Sequence, residues 1–166
     1  MPQERSGTFF VKGEKIVLKK DGTWVADGIE ITHEQTCALF YKAIHWDPTE
    51  KKFCLKVGYE TIFIEVEDTP HFVSSLELGA KPRATLASAA TIALQAARLK
   101  YEYGNLYLRL DDGLRAKFLS APYYDLMSLL EEDDEFYFLT ISAERVNLAP
   151  KARAGGAFRP GAPKRP

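Results

Sequence analysis

The chain of 166 residues carries only two cysteines, two methionines and two tryptophans. No apolar run approaches the ~18 residues of a membrane-spanning helix. Cys37 and Cys54 form no CxxC pair, and each sits among apolar neighbours. They read as reduced, buried thiols, and a disulfide between them requires their Cα atoms to lie within ~7 Å. The start, Met1-Pro2-Gln3-Glu4-Arg5, lacks the apolar stretch of a signal peptide, so the expected location is cytoplasmic. Glycine-rich phosphate loops are missing, with no GxxxxGK[ST] and no GxGxxG, and there is no GxSxG nucleophile elbow. These gaps exclude the common nucleotide-enzyme and hydrolase scaffolds. No catalytic residue, metal or cofactor is assigned from the sequence.

What is present fits an ordinary globule, with 46% hydrophobic and 27% charged residues. The length suits one compact domain or two small halves, and buries enough surface to fold without staples. The net charge of −1 is unevenly spread. Residues 150–166 hold five basic side chains (Lys151, Arg153, Arg159, Lys164, Arg165) and no acid. The remaining body sets 17 basic against 23 acidic residues. An acidic body argues against a nucleic-acid-binding core. The segment rich in Ala, Gly, Pro and Arg after Pro150 is expected to be a disordered basic tail.

Along the chain, alternation at Phe9, Val11, Ile16 and Leu18 predicts one or two short strands. Lys20-Asp21-Gly22 and Asp27-Gly28 then mark turns flanking a strand at Thr23-Trp24-Val25. Thr32 with Gln35 reads as a capping box opening a helix through Ala38, Leu39, Tyr41 and Ile44. Pro48 ends that helix near Trp46-Asp47. Residues 53–57 and 61–66 read as strands, and Phe72-Val73 runs on toward Leu76 and Leu78. Gly79 to Pro82 is the best internal boundary, dividing an N-terminal unit (1–79) from a C-terminal unit (80–149). Alanine richness in residues 83–101 favours helix, while its alternations fit two short strands equally well. Leu106–Leu110 and Leu114–Phe118 form a hairpin about Asp111-Asp112-Gly113. Pro122 opens a helix, and Phe136–Ile141 is a buried strand. Each half ends with a hairpin and a helix in close succession, a hint of duplication without a sequence repeat. The fold class is α+β.

Four groups of side chains merit chemical attention. His33-Glu34-Gln35-Thr36-Cys37 misses the HExxH zinc pattern by one residue, so His33 and Cys37 could share a metal only with a third ligand from His45 or His71. Glu65, Glu67 and Asp68 crowd a strand end, either as a carboxylate acid/base pair or as a solvated turn. Arg109, Arg115 and Lys117 flank the second hairpin, where they form either a phosphate-holding set or an exposed basic face. Of Tyr123 and Tyr124, one is expected to pack inward and the other to reach the surface.

These positions together resemble an uncharacterised bacterial family, domain of unknown function twelve-eighty-five. The matching residues are Asp21-Gly22-x-Trp24, Gly28-x-x-Ile31, Leu39-Phe40 and Glu65-Val66-Glu67-Asp68-Thr69-Pro70-x-Phe72-Val73 in the first half. Gly113-Leu114-x-Ala116 and Pro122-Tyr123-Tyr124-Asp125-Leu126 follow in the second. The resemblance covers roughly residues 16 to 148. It implies two small sheet-plus-helix units sharing an interface, the second superficially pleckstrin-homology-like. It also implies a nucleotide-like ligand at that interface and a role in signalling, with no enzymatic activity established. The family's Thr-Asn-x-Gly-Asp stretch is missing from residues 83–103, and the resemblance tilts that segment toward strand–turn–strand. The resulting expectation is a non-enzymatic module binding a small anionic ligand. Arg109, Arg115 and Lys117 would contact the anion, Trp24 and Tyr123 would stack or pack, and Glu67 and Asp68 would orient the ligand. The alternative is a protein-interaction adaptor docking a partner through a sheet edge or the basic tail, and a carboxylate hydrolase stands third.

Overall fold

Strand pairing divides the chain at Pro70/His71, because the strand that begins at His71 joins the second sheet. That division lies ahead of the Gly79–Pro82 loop, which instead becomes the connection between two strands of the second unit. The computed structural model describes residues 13–151. The expected strand at Phe9 and Val11, and the tail from residue 152 onward, lie outside the described residues.

The first unit runs β1 (Ile16–Leu18), β2 (Trp24–Ala26), β3 (Ile29–Glu30), α1 (Glu34–Ala43), β4 (Ile44–Asp47), β5 (Lys52–Val57) and β6 (Glu60–Val66). Its six-stranded sheet has the order β3-β2-β1-β6-β5-β4. β6 serves two partners in succession: Glu60–Phe63 pair with β5 and Ile64–Val66 pair in parallel with β1. The β2–β3 connection is a two-residue turn with Asp27 at φ 48° and Gly28 at φ 80°, the left-handed pair that matches strand twist. Ile16, Leu18, Trp24, Leu55 and Ile64 supply buried side chains, and α1 adds Phe40 and Ala43.

Two local readings change here. The N-cap of α1 is His33, whose Nδ1 accepts the Thr36 amide at 3.3 Å, not Thr32. The helix also stops at Ala43, well before Pro48. Ile44 pairs with Leu55 and Trp46 with Phe53, so a β-branched and an aromatic residue gain cross-strand partners that a helix would deny them.

The second unit contains β7 (His71–Glu77), β8 (Arg83–Leu86), β9 (Thr91–Ala93), a 3-10 turn (Ala96–Arg98), β10 (Leu99–Glu102), β11 (Asn105–Arg109), β12 (Arg115–Phe118) and α2 (Ser120–Met127). A three-stranded sheet follows, of β13 (Glu131–Glu132), β14 (Phe136–Ile141) and β15 (Glu144–Pro150). The ambiguous stretch 83–101 is therefore mostly strand, with only one short helical turn. Its larger sheet has the order β9-β8-β7-β12-β11-β10, with β7 and β12 parallel at the centre. Counted from each unit's first strand, this order is the same as that of the first sheet. Each unit is two antiparallel three-stranded meanders joined through one parallel pair. The duplication hinted at by the sequence is thus a duplication of topology, and the fold is α+β.

The core of the second unit gathers Val73, Ala84, Leu86, Leu99, Leu106, Leu108, Ala116 and Phe118 from the sheet, with Leu139 and Ile141 from β14. α2 adds Tyr123, Leu126 and Met127, the i, i+3, i+4 stripe of an amphipathic helix. Pro122 lies in the first turn of α2, where a missing amide hydrogen costs nothing.

Candidate functional site

The hairpin between β11 and β12 is set by its turn. The Gly113 amide donates to Leu110 O at 3.1 Å, the Leu110 amide to Leu114 O at 2.7 Å, and Asp112 Oδ1 accepts the Leu114 amide at 2.9 Å. Gly113 takes φ 83°, which makes this a type I turn closed by a left-handed bulge residue. The Leu110–Leu114 pair is thus the hydrogen-bonded one. The next pair, Arg109 opposite Arg115, is of the non-hydrogen-bonded kind in which side chains approach more closely.

Alternation places Arg109 and Tyr107 of β11, Arg115 and Lys117 of β12, and Lys100 and Glu102 of β10 on the sheet face opposite the core. The three cations singled out in the sequence therefore come together. Arg115 lies over the Tyr107 ring, its Cζ 3.9 Å from the centroid, and donates to Glu102 Oε2 at 3.1 Å. Lys100 reaches the same carboxylate at 3.4 Å. Lys117 is half-buried, and Arg109 is exposed with no hydrogen-bond or ion-pair partner among the described residues. The face thus carries four cations around one carboxylate. Arginines directly opposite each other on neighbouring strands repel, and Arg115 leans away across Tyr107 toward Glu102.

The remaining candidates have surroundings of their own. Trp24 is 1% exposed, packed edge-on against Phe40 at 5.2 Å and Tyr41 at 5.4 Å. It is a core residue, and of the stacking and packing roles weighed for it, packing is the one its position allows. Its Nε1–H meets no acceptor among the described residues. Tyr41 donates to Gly22 O, and burial raises its hydroxyl well above the usual phenol range. Tyr123 is likewise buried, at 6% exposure, with its hydroxyl pushed up to about 12 by burial first and by Tyr101 and Tyr124 second. Tyr124, its edge-on neighbour, is the one that reaches the surface, at 37% exposure.

Glu67 uses its carboxylate to accept the Lys20 amide at 3.0 Å, while its own amide donates to Leu18 O at 3.0 Å. It closes the β1–β6 junction. Glu65 faces Lys15 at 3.3 Å, with both side chains about two-thirds exposed. Asp68 is half-buried beside the buried Thr69. Glu65 and Glu67 thus answer to different partners, and both side chains are exposed. His33 Nδ1 lies 2.9 Å from Thr36 Oγ1, and Cys37 Sγ donates to Ile31 O at 3.3 Å. Burial and then Glu30 raise the Cys37 thiol. Among the described residues no group of three His, Cys, Asp or Glu side chains is placed to hold a metal ion. Cys37 is half-buried and Cys54 fully buried, and both are free.

The second unit also contains an open groove of about 620 Å³ that, of the residues singled out in the sequence, only Tyr124 lines. Its walls are Tyr124, Met127 and Ser128 at the end of α2, Glu131 and Glu132 of β13, and Tyr137 of β14. Lys151 stands at its edge, its Nζ 3.1 Å from Glu132 Oε2 and 5.9 Å from the Tyr137 ring centroid. In the sequence, 131–135 reads as solvated acidic surface. The missed signal is that an acidic run followed at once by Phe136-Tyr137-Phe138 places carboxylates beside aromatic rings.

A duplicated six-stranded α+β unit defines the class of protein. The chain is similar in fold to two solved proteins described as DUF1285 family members, the same family that the sequence resembles. One, from Silicibacter pomeroyi, is 23% identical with a TM-score of 0.61, over 82% of this chain and 80% of that one. The other, from Shewanella baltica, is 19% identical with a TM-score of 0.54, over 71% of this chain and 94% of that one. No family model and no curated protein matches the sequence. No helix among the described residues is long and apolar enough to cross a membrane.

Proposed function

We propose that the protein is a non-enzymatic cytoplasmic binding module. It takes a small anionic, nucleotide-like ligand at the Arg109 and Arg115 side chains of β11 and β12, in a sensing role. The observation that carries this reading is Arg109 standing unpartnered among the described residues, directly opposite Arg115, with Lys117 two residues along the same face. Two arginines at directly opposed strand positions repel each other. An anion between them converts that repulsion into two charge-assisted contacts. Tyr107, buried beneath Arg115, braces that guanidinium. Within the first unit, Glu67 accepts the Lys20 amide at the β1–β6 junction.

The test is a thermal-shift screen against nucleotides, cyclic dinucleotides and other phosphorylated metabolites. A ligand at a hundred times its Kd adds roughly 2.7 kcal/mol of stability, a visible shift. Arg109→Ala should then weaken binding roughly tenfold or more, the loss of one charged hydrogen bond, without lowering the melting temperature of the free protein. Unchanged affinity in Arg109→Ala, or a flat screen on folded protein, sinks the reading.

One observation favours the adaptor alternative. Trp46 is 51% exposed on β4, an edge strand, and packs edge-on against Phe53 at 4.9 Å. Aromatic surface at an unpaired strand edge suits a protein partner adding a strand. Trp46→Ser should abolish capture of such a partner, and retained capture rejects this edge.

A further inference from the structure

We propose that the groove at the end of α2 is a binding site for an aliphatic cation, an ammonium or guanidinium group on an apolar stem. Three features support it, none of them shared with the basic sheet face. The first is composition of the walls: Met127 and Leu130 offer apolar surface, Tyr124 and Tyr137 offer rings, and Glu131 and Glu132 offer charge. Aliphatic stems seek the first two, and cations are drawn to ring faces and carboxylates. The second is the protein's own use of the site. The Lys151 ammonium already sits between Glu132 and Tyr137, and the hydrogen bond to Glu132 raises its pKa. The third is capacity left over. Glu131 lines the same groove and has no cation partner among the described residues. A volume of about 620 Å³ lies within the usual range for small-ligand sites.

An anion is the wrong guest here, because two carboxylates and no unengaged cation line these walls. The cation has two possible sources, a free polyamine or the basic side chains that follow Lys151 in this chain, Arg153, Arg159, Lys164 and Arg165. Both present the same chemistry to the same walls.

The experiment is a spermidine titration of the full-length protein, followed by NMR of the Met127 methyl and the Tyr124 and Tyr137 rings. It is repeated on Lys151→Gln, on Glu131→Gln, and on a full-length variant with all four later cations changed to Gln. Saturable shifts at these three residues are expected, weakened by salt. Lys151→Gln should tighten binding by removing the internal competitor. Glu131→Gln should loosen it about threefold or more, the scale of one exposed charge pair or cation–ring contact. Response only in the four-Gln variant also supports the site, and names the chain's own cations as its occupant. No response at these residues in any folded variant, or equal affinity in Glu131→Gln and the parent, overturns the proposal.

Discussion

His71 shows how one side chain's surroundings set a pH dependence. It opens β7 opposite Ala116 of β12, half-buried. Burial pulls its imidazole below the ordinary value of 6.5, with Asp112 pulling weakly the other way. The folded protein therefore resists a proton that the unfolded chain accepts. Stability is independent of this group above its unfolded pKa, and it falls as pH drops through 6.5 toward the folded value. Denaturant midpoints measured from pH 7.5 to pH 5.5, about one unit either side of the ordinary imidazole pKa, should fall more steeply for the parent than for His71→Gln. Parallel curves would show that His71 is not responsible. Nothing in the sequence around His71-Phe72-Val73 signals this, since burial of a strand's first residue depends on what packs above it. Trp24 and Tyr123 teach the same lesson. Both are aromatic and near turn or helix starts, and both are as suited to a ligand as to a core until the packing is known.

At the scale of elements, the turns were the most legible feature and the ends of helices the least. Asp27-Gly28 and Asp111-Asp112-Gly113 fold as their chemistry dictates, because left-handed backbone is a local demand that few residues satisfy. The 3-10 turn and strands of 83–101 were not decidable locally. Alanine's helix preference is small per residue, and strand pairing of β8 with β7 and β9 outweighs it. The helix ending at Ala43 is overridden in the same way by the pairing of β4 with β5. α2 is held by packing more than by its ends, since Leu119 at its N-cap makes no side-chain hydrogen bond. Leu126, fully buried within the core cluster, should accordingly cost ~2–5 kcal/mol when changed to Ala. Urea denaturation checks this, and a loss below ~1 kcal/mol would mean that α2 contributes little to the fold.

At the scale of the molecule, the two units repeat one strand order, and among the described residues each ladder closes within its own unit. The second unit holds a core cluster drawn wholly from its own residues. Residues 71–151 expressed alone should give a strand-rich circular dichroism spectrum and a cooperative thermal transition. A fragment without a transition would show that this unit depends on the first. The sequence by itself determined the α+β class, the turns, the second hairpin and the grouping of Arg109, Arg115 and Lys117, because alternation and turn chemistry act over a few residues. Only the tertiary structure decided that β1 pairs with β6 and β7 with β12. It alone decided that Trp24 and Tyr123 belong to cores, and that Glu131, Glu132 and Tyr137 line a groove beside Lys151. Those outcomes rest on contacts between residues far apart in the chain, where the gain from burial and pairing outweighs local preference and leaves no local trace.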